Sequence, residues 1–277
     1  MNILDGKALS QTILSKLKKE IVENNLRPKL VIVQVGTDPA SLIYIQQKQK
    51  AAISIGVDTK IVSVDSSVAQ KELEQLIDKL NKDKNIQGII VQKPLPPQIN
   101  SDQIDVLVDP TKDVDGLNPN STFIPATARG ILELLDYYEV QIKGKKVVVV
   151  GTSKLVGRPT GLQLKKKGAL VTFCDDKTSD LASKTKEADI LVVAVGKPKL
   201  ITGQMVKKGA IVIDVGINRV QNQESRIKNL KSKIVGDVDF DSVSKIASYI
   251  TPVPGGVGPM TVAALMQNLV DAAKKNS

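Results

Sequence analysis

Val147 to Gly161 reads VVVVGTSKLVGRPTG. The valines form the short apolar run expected of a strand buried on both faces of a parallel sheet. A loop with Gly151, Ser153 and Gly157 follows, then a helix whose first turn holds Pro159, where a missing N–H leaves nothing unpaired. Such a strand-to-helix turn lets backbone N–H groups approach a pyrophosphate at a helix N-terminus. The spacing is not G-x-G-x-x-G, so a plain tight turn competes with nucleotide binding, and the surrounding pattern has to decide.

Downstream, ALVTFC, DILVVAVG and AIVIDVG read as further strands, with a helix after Pro159 and another near Leu181 to Ala188. A parallel sheet therefore starts near Lys145. Upstream, KLVIVQVG from Lys29, TKIVSV and IQGIIVQ read as three strands. Between them lie a helical pattern on Leu42, Ile43, Ile45, Ala52 and Ile55 and a helix through Leu80 with Ser67 and Gln70 as its capping box. This βαβαβ series predicts a second parallel sheet. A polar, Pro-bearing segment from Asp109 to Pro125 leads to a helix around Gly130 to Tyr138. TPVPGGVGPM reads as irregular before a last helix over Thr261 to Ala273. The fold class is α/β, with two domains.

Composition limits the chemistry. At 277 residues, 42% apolar and 25% charged, the chain suits two medium domains, and no apolar run nears the roughly 18 residues that span a bilayer. Leu9, Ile13, Leu14, Leu17 and Ile21 recur at helical spacing among polar residues, which predicts a surface helix of a cytoplasmic protein rather than a secretory signal. A single cysteine, Cys174, excludes an internal disulfide, and the absence of histidine excludes a Cys/His metal cluster and a Ser-His-Asp triad. No metal is expected. Proton transfer must use Lys, Asp, Glu, Tyr or Cys. The net charge of +10 is spread along the chain, with only three Phe and four Tyr and no Trp, a pattern that favours anionic small molecules over nucleic acid.

Tyr44 and Lys48 stand at i and i+4, side by side on one helical face. They read either as a half-buried ring with a solvated lysine, or as a cleft face on which desolvation lowers the lysine pKa and the ring stacks on a planar ligand. Gln92 lies at the carboxyl end of a parallel strand, where ligands bind, ahead of a loop stiffened by three prolines. Asp113 and Asp115, in PTKDVDGLNP, could cap a turn, bind a metal or accept from a heterocycle's edge.

Taken together, VGTDPASLIYIQQKQKAAISIG, VQKPLP, PTKDVDGLNP, GTSKLVGRPTG, ADILVVAVGKP, IDVGIN, GDVDF and TPVPGGVGPMT resemble, in order, the bifunctional methylenetetrahydrofolate dehydrogenase/methenyltetrahydrofolate cyclohydrolase family. The resemblance implies two α/β domains flanking a cleft, the second a Rossmann-like doubly wound sheet. It places a folate-binding domain at residues 1–119 plus 261–277 and a dinucleotide-binding domain at 120–260. It implies Lys48 as catalytic lysine, Gln92 bonded near it, Tyr44 stacked on the folate and Asp115 on the pterin edge. Gly151, Thr152 and Ser153 match the cofactor phosphate loop, Asp175 and Asp176 the adenosine ribose region, and Ile217 a contact to the nicotinamide end. Pro254, Gly255 and Gly256 lie in the loop by the folate. A homodimer through the second domain is also implied. The alternative is a monofunctional dehydrogenase, against which the presence of Tyr44, Lys48, Gln92 and Asp115 argues.

Two departures stand out. Pro125-Ala126-Thr127-Ala128 replaces the family's PCTP, and Lys93 replaces an apolar residue beside Gln92, where like-charge repulsion is expected to act on Lys48. The cofactor is NADP or NAD: family resemblance favours NADP, whereas Asp175 and Asp176, 24 and 25 residues after Gly151, favour the free ribose hydroxyls of NAD, with Lys154 and Lys177 acting the other way.

Overall fold

Apolar runs of four to seven residues alternate with amphipathic stretches, and strands and helices alternate with them. The structure is a computed structural model that describes residues 2–220 and 233–275. In chain order its elements are β1 (Asn2–Ile3), α1 (Gly6–Glu23), β2 (Lys29–Val35), α2 (Pro39–Ser54), β3 (Asp58–Val64), α3 (Gln70–Lys82), β4 (Gly88–Val91), α4 (Ser101–Leu107), α5 (Ala126–Tyr137), β5 (Lys146–Val150), α6 (Gly157–Lys166), β6 (Leu170–Cys174), α7 (Leu181–Lys186), β7 (Ile190–Val193), β8 (Ile211–Asp214), β9 (Asn218–Val220), β10 (Lys233–Val235), α8 (Phe240–Val243), β11 (Tyr249–Ile250) and α9 (Val257–Lys275).

The chain divides into two units, Met1–Leu9 with Thr127–Thr261, and Ser10–Ala126 with Val262–Ser277. The N-terminal residues therefore do not join the unit expected from the sequence. β1 pairs in parallel with β11, Asn2 against Tyr249 and Ile3 against Ile250, a two-residue strand too short to show a period. Residues 120–126 stay with the unit that precedes them.

The unit made of Met1–Leu9 and Thr127–Thr261 holds a six-stranded parallel sheet in the order β1-β11-β8-β7-β5-β6. From β5 the chain steps outward to β6 and then returns to lay β7, β8 and β11 on the other side. The order thus reverses between β5 and β7, whose carboxyl ends form the crevice where doubly wound sheets bind ligands. Val147–Val150 of β5 and Ile190–Val193 of β7 are buried throughout, as strands covered on both faces must be. Val148, Val150, Leu191, Val193, Val212 and Ile250 share one core. A short antiparallel pair, β9 with β10, lies outside this sheet.

The other unit holds a parallel sheet in the order β3-β2-β4. The 112–114 segment extends its edge: Asp113 bridges in parallel to Ile89, whose N–H donates to Lys112 O at 2.8 Å. Val31, Val33, Leu73, Ile77, Ile89 and Ile104 form the core beneath it.

Three local expectations change. α3 starts at Gln70 with Ala69 at its N-cap, and Ser67 instead donates its Oγ to Asp65 Oδ1 at 2.6 Å in the preceding turn. Glu72 supplies the back-bond to Ala69 N, at 3.4 Å. α9 begins at Val257, four residues before the expected Thr261, because Pro259 falls in its first turn, where proline is tolerated. α4, capped by Asn100 accepting from Gln103 N, occupies a stretch with no expected helix; its seven residues span too few turns to display a period.

Candidate active site

α2 opens with Asp38 accepting from Ser41 N at 2.7 Å, with Pro39 as its first residue. Its buried stripe is Ser41, Ile45, Lys48, Ala52 and Ile55, at successive spacings of four and three. Leu42 and Ile43, which belong to the apolar helical pattern of the sequence, are exposed. The true stripe was hidden because two of its five members are polar. Lys48 is thus an inward-facing residue, 6% exposed, which removes the solvated-lysine alternative. Tyr44, half-buried, stands one turn before it.

A buried ammonium needs partners. Lys48 Nζ donates to Gln92 Oε1 at 3.2 Å and pairs with Asp115 Oδ2 at 3.6 Å. Three segments, α2, the end of β4 and the 109–125 loop, therefore converge on one Nζ.

That loop is held from several sides. Asp113 accepts from Asn118 N at 2.8 Å and Gly116 N at 3.2 Å, so the turn-capping reading is the one the geometry gives it. Burial first, then the neighbouring Asp115 charge, push its carboxyl up to about 6 against the pull of its N–H donors. The Lys112 ammonium, itself buried, donates to Asn81 O at 2.6 Å and Asp83 O at 2.7 Å, closing the carboxyl end of α3. Asn268 of α9 donates to Val114 O and Ile124 O at 2.8 and 3.0 Å. Gly116 has φ +74°, and a Cβ there would lie 2.6 Å from Pro125 Cα. No acidic, His or Cys group fit to hold a metal occurs among the described residues.

Gln92 Nε2 donates to Lys93 O at 2.8 Å, which leaves Oε1 to face Lys48. The repulsion expected between Lys93 and Lys48 is countered at its source. Lys93 Nζ lies 2.6 Å from Asp105 Oδ1 and 2.6 Å from Ser101 Oγ, so its charge is paired. Of the PATA segment, Ala126 and Ala128 are buried in the first turn of α5, and Thr127 Oγ1 accepts from Thr261 Oγ1 at 3.2 Å.

In the six-stranded unit, Gly151 leaves β5 with φ +101°, and its N–H donates to Cys174 O at 2.8 Å, joining the ends of β5 and β6. A Cβ on Gly157 would lie 1.8 Å from Gly151 O, and one on Gly161 would lie 2.4 Å from the Phe173 ring. These glycines provide the tight turn, the close approach of loop to helix and the helix-to-strand packing that a dinucleotide fold needs, at a different spacing from the usual motif. Thr152 and Ser153 are exposed between them. The turn fits a pyrophosphate group at the α6 N-terminus, because Gly151 and Gly157 place no side chain of their own between β5 and that helix.

The two acids beyond β6 separate. Asp175 Oδ1 accepts from Lys177 N at 3.0 Å and Thr178 Oγ1 at 3.3 Å, making it a turn cap, whereas Asp176 is exposed. Ile217 follows β8 and is exposed. Lys7 N donates to Gly255 O at 2.8 Å, and Gly256 N to Pro252 O at 2.8 Å, so the loop with Pro254 is tied to the start of α1.

Two buried acids absent from the sequence-based candidates hold the loops beyond β7 and β8. Asp214 accepts from Gly216 N, Asp237 N and Val238 N, and Asp237 accepts from Val195 N, Gly196 N and Asn218 Nδ2. Burial dominates at Asp214 and raises its carboxyl to about 6. Gly216 and Gly236 were the available signal, since a Cβ on either would collide with these carboxylates.

Residues 4–115 match the family described as tetrahydrofolate dehydrogenase/cyclohydrolase, catalytic domain, and residues 125–277 match its NAD(P)-binding domain. The bifunctional protein FolD of Nitratiruptor sp. is 48% identical over 288 residues, covering 99% of each chain. The crystal structure of the Campylobacter jejuni bifunctional FolD covers 100% of both chains at 43% identity and TM-score 0.94. A Trypanosoma brucei FolD complexed with NADP and an inhibitor covers 98% of this chain and 96% of its own at 36% identity and TM-score 0.91. The chain belongs to the tetrahydrofolate dehydrogenase/cyclohydrolase family.

Proposed function

We propose that this protein is a bifunctional one-carbon folate enzyme: it oxidises 5,10-methylenetetrahydrofolate to the 5,10-methenyl cation and hydrolyses that cation to 10-formyltetrahydrofolate. The observation that carries the reading is the buried Lys48 ammonium held between Gln92 and Asp115. A dehydrogenase alone has no need of it, because hydride transfer depends on alignment rather than on an acid or base.

The dinucleotide, when bound, supplies the hydride acceptor, and Gly151, Thr152, Ser153, Asp176 and Ile217 would hold it. Tyr44 offers a ring for stacking on the pterin or benzoyl plane, and Asp115 a carboxylate for the pterin's donor edge. The family resemblance supports a substrate-contacting role for Pro254, Gly255 and Gly256. Water adds to the methenyl carbon, Lys48 Nζ carries one of its protons to N5 as the C–N5 bond breaks, and the other proton leaves for solvent, so the formyl group stays on N10; Gln92 Oε1 keeps Nζ in place. Asp115 balances the lysine charge through the step.

We further propose a preference for NAD. Asp176 is an exposed carboxylate just beyond β6, suited to ribose hydroxyls and repelling a 2′-phosphate. The family resemblance also supports a homodimer through the nucleotide-binding unit and a cytoplasmic location; among the described residues no helix is long and apolar enough to cross a membrane. Purified protein given 5,10-methylenetetrahydrofolate should reduce the nicotinamide, with higher kcat/KM for NAD⁺ than for NADP⁺. No reduction with either cofactor refutes the dehydrogenase assignment, and a tenfold preference for NADP⁺, about 1.4 kcal/mol, refutes the selector role of Asp176.

A further inference from the structure

Lys93 directly follows Gln92, and its charged end is largely withdrawn from solvent. Its side chain is 12% exposed and that of its partner Asp105 is 17% exposed, with Nζ 2.6 Å from the carboxylate. The same Nζ donates to Ser101 Oγ at 2.6 Å. Ser101 and Asp105 are i and i+4 on α4, so one lysine fastens the first residues of the β4–α4 loop to the first turns of the following helix. Burial raises the Asp105 carboxyl, opposed by the Lys93 hydrogen bond and charge.

The main chain of Lys93 does a second job. Its carbonyl accepts from Gln92 Nε2, and because a carboxamide has one donor end and one acceptor end, this contact decides that Oε1 is presented to Lys48 Nζ. The side chain is clamped, so the carbonyl is fixed, and the carbonyl sets the amide. Ser41 Oγ, 3.1 Å from the same carbonyl, borders it from α2.

We propose that the Lys93–Asp105–Ser101 clamp is a positioning device for the cyclohydrolase step, acting on Lys48 through the orientation of Gln92. The proposal rests on the cyclohydrolase reading above. It predicts a kinetic split that a purely structural ion pair does not produce: hydrolysis slows at unchanged substrate affinity, while hydride transfer, which needs no proton carrier, is spared.

The test measures both activities of purified variants, each well below its own Tm. Asp105→Asn should lower cyclohydrolase kcat about tenfold, with KM for the methenyl substrate and dehydrogenase kcat within about twofold of wild type. Ser101→Ala, which keeps the ion pair and the fold, should lower cyclohydrolase kcat about threefold. Lys93→Met/Asp105→Leu removes the clamp without stranding a charge and should show the same cyclohydrolase-specific fall as Asp105→Asn, whereas recovery to the wild-type rate would overturn the inference. Cyclohydrolase kcat at the wild-type level in both Asp105→Asn and Ser101→Ala overturns the inference, as does an equal fall in both activities. A wild-type protein without cyclohydrolase activity instead overturns the parent reading, and this inference with it.

Discussion

Replacing Gly157 by alanine tests whether the turn from β5 into α6 is the dinucleotide cradle. The added Cβ would lie 1.8 Å from Gly151 O and 2.8 Å from Gly151 C. Normal contact between such atoms begins near about 3.5 Å, so the turn has to open by more than about 1 Å. The atom in the way is main chain, not the end of a flexible side chain, so the loop itself must move. A misplacement of about 1 Å in a binding site can lower rate about 10²-fold. Dehydrogenase kcat/KM, followed by nicotinamide absorbance, should fall by that order. Hydrolysis of supplied methenyltetrahydrofolate requires no dinucleotide and relies on Lys48, Gln92 and Asp115 of the other unit, so it should stay within about twofold. Overpacking of this kind costs about 1–3 kcal/mol, a Tm loss of several degrees that leaves the protein folded at assay temperature. Unchanged dehydrogenase activity, or parallel loss of both activities, would refute the cradle assignment.

Other perturbations have equally definite outcomes. Lys112→Met strands two carbonyls that now accept short ammonium bonds and should destabilise by about 3 kcal/mol, seen as a Tm lower by roughly 8 °C; a change under about 2 °C contradicts the role given to this lysine. Asp176→Asn should move the NAD⁺/NADP⁺ ratio of kcat/KM toward NADP⁺ by about fivefold, whereas an unchanged ratio removes Asp176 from cofactor selection. Asp214 titrates near 6 when folded and near 3.8 when unfolded. The folded state therefore binds the extra proton between those values, and this group's contribution to stability grows as pH falls from 7 through 6 toward 4, by about 3 kcal/mol. Urea titrations across that range should show a smaller acid-side gain in Asp214→Asn than in wild type, and identical slopes would contradict the assignment.

The strands and long helices were legible because burial on both faces produces unbroken apolar runs such as VVVV and ILVV, while amphipathic helices repeat every three or four residues. The buried face of α2 was not, because Ser41 and Lys48 sit where a hydrophobic count looks for aliphatic residues. The apolar pattern on Leu42 and Ile43 marked the helix but not its buried side, since both are exposed. Short elements such as β1 and α4 carry no period to read, and long-range pairing alone fixes β1 against β11. The acid pair after β6 split only in three dimensions: Asp175 is consumed by its own turn, leaving Asp176 as the exposed carboxylate. Lys93 looked like an uncompensated charge because Asp105 is twelve residues away and reaches it through a helix with no sequence signature.

Lys48 Nζ, held by Gln92 Oε1 and Asp115, is proposed to move the proton of a second reaction that the dinucleotide does not perform. The direct measurement is the paired activity of Lys48→Met: cyclohydrolysis of methenyltetrahydrofolate without dinucleotide, and oxidation of methylenetetrahydrofolate with it. Hydrolysis should fall about 10²- to 10⁴-fold while oxidation persists and the methenyl product accumulates. Hydrolysis at the wild-type rate in that variant would contradict that role.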